Sequence, residues 1–282
     1  MLGFIGLGMM GGPMAGNLLA KGQALATFDA VGTRLEGAQA LPDARTLAGE
    51  ADTIILMLPD STAVDAVLSA LESALRPGAL VIDMGSSQPA ETRRWGARLA
   101  GRGAALVDAP VSGSVVKARA GTLAIMAGGG PADLDRAEPI LALMGEAVIR
   151  TGPLGSAHAM KALNNYVYAA GLLAVSEAAL IAEKEGLDPA ILARVLNASS
   201  GRNIASETKL AQEITSGRYA GGFHLGLMRK DIETAAMMAS EAGTPARLLA
   251  LLRSEWAEAV AALGPRADNT EIHRHLAQGR PA

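Results

Sequence analysis

Six residues near the start of the chain, Gly6-Leu7-Gly8-Met9-Met10-Gly11, constrain its fold more than any others. The short apolar run LGFI precedes them and the helix-forming run PMAGNLL follows. A strand, a glycine turn and a helix in that order make a phosphate-binding junction. Gly6 permits the tight turn, Gly8 lets the backbone approach a pyrophosphate, and Gly11 lets the helix pack close to the strand. The phosphates would rest on the helix N-terminus, where free N–H groups and the helix dipole favour anions. A second strand over residues 24–28 ends in Asp29, the spacing at which a carboxylate meets an adenosine ribose. A carboxylate there repels a 2′-phosphate and so favours NAD. Arg34 nearby leaves NADP possible, and Asp-Ala-Val-Gly also reads as a plain turn.

The alternation continues. Residues 52–58, 79–84 and 104–107 are short apolar runs of the kind that form strands covered on both faces. Helical patterns over 63–75, 91–102 and 131–144 separate them, and 147–149 reads as a last strand. Repeated βαβ units imply an α/β domain with a Rossmann-type, doubly wound parallel sheet over residues 1–153. The polar loops after Leu58, Met84 and Val107 fall at strand C-termini, the edge where such sheets bind ligands. Ser112-Gly113-Ser114 offers hydroxyls and approachable amides. It reads either as a carboxylate cradle or as an ordinary turn.

Residues 152–168, GPLGSAHAMKALNNYVY, mark a change of architecture. From 156 to 185 the chain is one long helical run, too apolar for a surface helix. Lys161 and Asn165 are four apart and share one helix face. A lysine in so apolar a run either snorkels to water or is a catalytic group whose pKa its surroundings lower. Helices are also expected over 189–198, 230–242, 245–263 and 271–277, with a polar loop at 199–203. Residues 154–282 therefore read as an all-α domain joined to the first by the long inter-domain helix. His273 and His275 read as surface residues rather than metal ligands, and no metal is expected.

Half of the residues are hydrophobic but only 3% are aromatic, so the core is built from aliphatic side chains and Met. Net charge is −3, which argues against nucleic acid or an anionic membrane as partner. There is no Cys, which removes disulfides, thiol nucleophiles and thiolate metal sites and suits a reducing cytoplasm. No secretory leader is expected, because the chain opens directly in a strand. The most apolar run, 166–182, is broken by Ser176 and Glu177, so no membrane span is expected either.

The chain resembles the β-hydroxyacid dehydrogenases. The resemblance is carried by GFIGLGMMGGPMAGNL at 3–18, MLP at 57–59, VIDMGSSQP at 81–89 and DAPVSG at 108–113. It continues through GTLAIMAGG at 121–129, GSAHAMKALNN at 155–165 and LMRKDIETA at 227–235. It implies hydride transfer between NAD and a small carboxylate-bearing 3-hydroxyacid or its semialdehyde. In that family the loop holding Gly6, Leu7, Gly8, Met9, Met10 and Gly11 would bind the pyrophosphate. Leu58 and Pro59 would line the cofactor pocket, and Ser86 would meet the nicotinamide side. Ser112 and Gly113, with Ser114 beside them, would bind the substrate carboxylate. Lys161 would be the acid/base, Asn165 its companion, and Lys230 would close over the cofactor. Relatives imply a homodimer or homotetramer. The alternatives are an NADPH-preferring reductase of a small acid semialdehyde and a dinucleotide-binding sensor without turnover.

Three positions depart from the family pattern. Ser114 stands where a second Gly is usual, Ala157-His158 where Gly-Gln is common, and Gly85 where Ser is usual. His158 is either a substrate contact on the Lys161 face or a helix N-terminal residue with a local partner.

Overall fold

A computed structural model describes residues 1–279. Two compact units divide after Lys161. The first is built from β1 (Leu2–Ile5), α1 (Gly11–Ala20), β2 (Leu25–Phe28), β3 (Gln39–Ala40), α2 (Ala44–Glu50) and β4 (Thr53–Leu56). The chain continues through α3 (Ser61–Leu71), β5 (Leu80–Asp83), α4 (Pro89–Ala100), β6 (Ala105–Asp108) and β7 (Val111–Ser112). It ends with α5 (Val115–Ala120), β8 (Leu123–Gly128), α6 (Pro131–Leu141) and β9 (Gly145–Gly152).

The strands form one sheet in the order β3-β2-β1-β4-β5-β6-β8-β7, with β9 paired to β8. From β3 to β6 every pairing is parallel. The order reverses between β1 and β4, so the glycine loop at the end of β1 sits at the switch point where doubly wound sheets bind ligands. Strand residues alternate between two cores, as the pleat requires. Phe4, Ile55, Ile82 and Val107 pack with Met14, Leu18, Leu134 and Leu141 on the face of α1 and α6. Ile5, Ile54, Val81 and Leu106 pack with Leu47, Leu68, Trp95 and Leu99 on the face of α2, α3 and α4.

The sheet is not wholly parallel. β8 runs antiparallel to β6, and β7 antiparallel to β8. The connection there holds only a two-residue strand and a six-residue helix, so the chain folds back instead of making a full crossover. Two helix starts come earlier than the apolar pattern suggests. Asp60 caps α3 by accepting from the Ala63 amide at 2.9 Å, and Pro89 occupies the first turn of α4. The pattern gives no sign of α2 or α5, whose apolar faces are too short to register.

The second unit is helical. α7 (Ser156–Lys184) enters it, followed by α8 (Pro189–Ala198), a π-helical segment (Ser206–Ile214), α9 (Leu225–Glu241) and α10 (Arg247–Leu263). A 3₁₀ turn (Asn269–Glu271) and α11 (Ile272–Ala277) follow. α9 begins five residues before the expected 230, and α10 two residues after the expected 245. The core combines Leu172 and Val175 of α7 with Leu210, Met228, Ile232, Leu252, Trp256 and Ile272. By length and composition alone α7 is apolar enough to cross a membrane, although Ser176 and Glu177 interrupt its most apolar run. Its Ala162, Ala169, Leu172 and Ala179 are packed into this core instead. His273, expected at the surface, is only 7% exposed and its Nδ1 lies 2.9 Å from the Tyr219 hydroxyl.

Candidate active site

The glycine loop is shaped as its spacing suggests. Gly6 has φ +95°, a conformation that disfavours any side chain, and a Cβ there would overlap the Met57 carbonyl. A Cβ on Gly11 would overlap the Gly6 carbonyl, so the close helix–strand approach is real. A Cβ on Gly8 would meet nothing within 4 Å. Gly8 and Met9 are exposed, Met10 is half-buried, and no side chain caps the start of α1. An open backbone beside an uncapped helix N-terminus fits a pyrophosphate.

Asp29 closes this loop from β2. Its Oδ2 accepts from the Leu7 amide at 2.8 Å, and its Oδ1 accepts from Val31 at 3.1 Å and Thr33 at 3.2 Å. Partial burial raises its pKa, but the Leu7, Thr33 and Val31 hydrogen bonds outweigh that and hold the carboxyl below its ordinary value. Asp29 is thus both a turn former and an ionised group at the end of β2, so the two readings of its sequence context are compatible.

Leu58 is half-buried and Pro59 exposed, just past β4. Gly85, one of the three departures, has a local reason: a Cβ there would lie 2.6 Å from the Leu58 carbonyl oxygen. Ser86 is half-buried beside it. Ser112 ends β7 half-buried, while Gly113 and Ser114 are exposed. Ser114 caps α5 without a side-chain hydrogen bond.

α7 starts at the end of the sheet through contacts that the residue pattern did not signal. Asp108, at the C-terminus of β6, accepts from the Gly155 amide on Oδ1 and the His158 amide on Oδ2, both at 2.8 Å. Burial pushes the Asp108 carboxyl up, despite the opposing influence of His158 and those two amides. Asp83, beside it in register, accepts from the Gly85 amide at 3.0 Å and the Ser87 hydroxyl at 2.7 Å. His158 is buried, with Nδ1 2.8 Å from the Thr92 hydroxyl, 66 residues away. His158 thus lies in the first turn of α7, as one of its two readings has it, but its side-chain partner is distant in sequence rather than local. Lys161, one turn further on, is half-buried.

In the second unit, Asn165 and Asp231 are 5% and 2% exposed. The Asn165 amide donates to Asp231 Oδ2 at 2.5 Å, and its Oδ1 accepts from Asn164 Nδ2 at 3.1 Å. The Lys230 ammonium lies 3.6 Å from Asp231 Oδ1. Local sequence pattern alone does not single out Asp231. The signal available was a carboxylate between Met228 and Ile232, both fully buried on α9. Asn165 and Lys230 are thus brought together around it. Gly6, Gly8, Gly11, Asp29 and Leu58 assemble separately, at the switch point of the first unit.

Comparison with known proteins agrees with this geometry. A family model described as the NAD binding domain of 6-phosphogluconate dehydrogenase matches residues 1–152. One described as NAD-binding of NADP-dependent 3-hydroxyisobutyrate dehydrogenase matches residues 155–276. The chain is 35% identical to 2-(hydroxymethyl)glutarate dehydrogenase of Eubacterium barkeri, over 89% of this chain and 86% of that one. It is 37% identical to NAD-dependent L-serine dehydrogenase of Pseudomonas aeruginosa, over 89% of each. Among solved structures, 3-hydroxyisobutyrate dehydrogenase of Mycobacterium tuberculosis with L-serine superposes at a TM-score of 0.91, with 31% identity and 98% of each chain covered. With a sheet of Rossmann order, a helical second unit and relatives matched over nearly their whole length, the chain belongs to the β-hydroxyacid dehydrogenase family.

Proposed function

We propose that this protein catalyses NAD-dependent hydride transfer on a small 3-hydroxyacid, or the reverse reduction of its semialdehyde, with Lys161 as general acid/base. The family's chemistry is NAD(P)-dependent oxidoreduction at CH–OH. The observation that carries the residue assignment is the placement of Lys161 and Asn165 one turn apart on α7, with Asn165 held by buried Asp231.

Bound nicotinamide supplies the hydride acceptor or donor. The residues of the chain do the rest. Gly8 and the uncapped start of α1 hold the pyrophosphate, with Leu7, Met9 and Met10 shaping the loop. Asp29 accepts from the adenosine ribose, which favours NAD, and Leu58, Pro59 and Ser86 complete the cofactor contacts of the first unit. Ser112 and Gly113 bind the substrate carboxylate, with Ser114 beside them. Lys161 Nζ takes the hydroxyl proton in oxidation and returns it in reduction. Asn165 orients the same hydroxyl without adding charge. A positioned acid/base of this kind contributes roughly 10²–10⁴-fold.

The named substrates of the relatives share one group. 2-(Hydroxymethyl)glutarate, L-serine and 3-hydroxyisobutyrate all carry CH₂OH on the carbon next to a carboxylate. We infer that this chain's substrate does too. The test is a panel of such acids and their semialdehydes with NAD(H) and NADP(H), run on wild type and Lys161→Ala. Turnover with NAD that is lost in Lys161→Ala, with NAD binding retained, is expected. Substantial activity in the variant sinks the acid/base assignment. Binding of dinucleotide with no turnover on any member favours the sensor reading, and faster rates with NADPH favour the semialdehyde reductase.

The helical unit exposes Val167, Ile181, Ile191, Val195, Leu248 and Leu251. That surface supports a homodimer or homotetramer. Light scattering coupled to size exclusion decides it, and a monomer at micromolar concentration would contradict it.

A further inference from the structure

We infer that His158 is a positioning residue for Lys161: by tying the first turn of α7 to α4 and to the ends of β5 and β6, it sets the rotation of the helix that presents the lysine. This rests on the acid/base reading of Lys161 given above.

The imidazole is completely enclosed and touches three elements. Nδ1 meets the Thr92 hydroxyl of α4 at 2.8 Å. Nε2 lies 3.8 Å from Asp83 Oδ2 at the end of β5, and Nδ1 lies 3.9 Å from Asp108 Oδ2 at the end of β6. Asp83 and Asp108 are the charged groups facing the ring from these elements. The backbone amide of the same residue donates to Asp108. One residue thus anchors the helix twice, through its main chain to one strand end and through its ring to a different helix. The Gly155 and His158 amides both hold the start of α7 on Asp108. The ring contact to Thr92 adds a constraint from α4 that those amides do not supply.

The arrangement is poor as a pure stability device. Nε2 is buried without a hydrogen-bond partner among the described residues. Leaving a buried nitrogen unsatisfied carries a desolvation cost that an apolar side chain of similar volume would not incur. What the ring supplies is direction. A side-chain end lies roughly 6 Å from its helix axis, so a rotation of about 10° displaces it by about 1 Å. A misplacement of that size in a catalytic group costs about 10²-fold in rate.

The test uses the full-length protein with NAD and its best hydroxyacid. His158→Leu fills the volume without hydrogen bonds, His158→Gln restores a polar group, and Thr92→Val removes the partner hydroxyl. His158→Leu is expected to lower kcat about 10- to 100-fold while KM for NAD stays within about twofold and Tm holds or rises. His158→Gln should recover kcat to within about threefold of wild type. Thr92→Val should lower kcat in the same direction, and the Thr92→Val/His158→Leu pair should be no worse than His158→Leu alone. A folded His158→Leu protein with wild-type kcat overturns the inference, as do losses that multiply in the double variant. A fall in Tm with kcat intact also overturns it, because that is the mark of a merely structural role. Should His158→Leu fail to fold, Thr92→Val decides, and unchanged kcat there is fatal to the idea. Lys161→Ala separates the two levels. If it stays active, the acid/base reading falls. If it is inactive while His158→Leu turns over normally, only the positioning role falls.

Discussion

The side-chain amide of Asn165 donates to the Asp231 carboxylate at 2.5 Å, joining α7 to α9 through two buried polar groups. Because Asn164 donates to Asn165 Oδ1, the orientation of the Asn165 amide is held from both sides. Asp231→Ala leaves a buried amide donor without its acceptor, which costs about 1–3 kcal/mol of stability. It also frees the amide to flip, so kcat should fall with stability. Thermal denaturation and steady-state kinetics on one preparation check this. An Asp231→Ala protein as stable and as fast as wild type would mean that the contact is incidental.

The glycine loop offers a pair of substitutions with opposite signatures. Gly8→Ala adds a methyl into open space and should leave Tm unchanged, but the methyl blocks the approach of a pyrophosphate. NAD affinity should weaken by about tenfold or more, equivalent to roughly 1.4 kcal/mol. Gly11→Ala drives a methyl into the Gly6 carbonyl and should destabilise the protein itself, by about 1–3 kcal/mol. Calorimetric titration with NAD and a melting curve for each variant distinguish the two. Equal NAD affinity in Gly8→Ala and wild type would remove this loop from the cofactor site.

Asp29 bears on cofactor choice. Amides of Leu7, Thr33 and Val31 hold its carboxyl below the ordinary value despite partial burial, and in the proposed cofactor pose that charge would repel a 2′-phosphate. Asp29→Asn should narrow the preference of kcat/KM for NAD over NADP by about tenfold, with exposed Arg34 close in sequence. A ratio unmoved by the substitution would leave Asp29 only its turn-forming role.

Acid sensitivity is expected to centre on Glu213. Its side chain is 3% exposed and accepts from Arg218 and from the Ala220 amide. The Arg218 hydrogen bond is the largest influence and holds its pKa below 4.5. The folded pKa is the lower one, so the unfolded chain binds the proton more readily. The stabilisation is therefore full above 4.5 and is lost as pH falls through the folded value. Glu213→Gln should flatten the dependence of Tm on pH in that range. Buried Asp108, whose pKa is raised, contributes with the opposite sign, so its effect works against acid unfolding. Melting curves from pH 3 to 7 test this, and parallel curves for wild type and Glu213→Gln would contradict it.

Much of the first unit was legible in local pattern. The apolar strand runs ended within a residue or two of β1, β2, β4, β5 and β6, because a strand buried on both faces needs nearly every residue apolar. The antiparallel turn at β7 and β8 was not legible, since strand direction depends on pairing rather than on the residues of one strand. The π-helical segment Ser206–Ile214 left no mark either, because wider hydrogen-bond spacing has no signature in residue type. His273 looked like a surface residue on a short polar helix. It is buried because Tyr219, 54 residues earlier, packs against it.

By itself the sequence determined the phosphate-binding junction, the change from α/β to all-α near residue 155, and the one-turn spacing of Lys161 and Asn165. Each of these follows from residue types within a few positions of one another, where backbone sterics and helical or strand periodicity act. Only the tertiary structure decided what holds those side chains in place. Asp108 reaches the start of α7 across 50 residues, Thr92 reaches His158 across 66, and Asp231 reaches Asn165 across 66. A buried carboxylate or imidazole needs a partner, and which partner it finds is set by the packing of whole elements against each other.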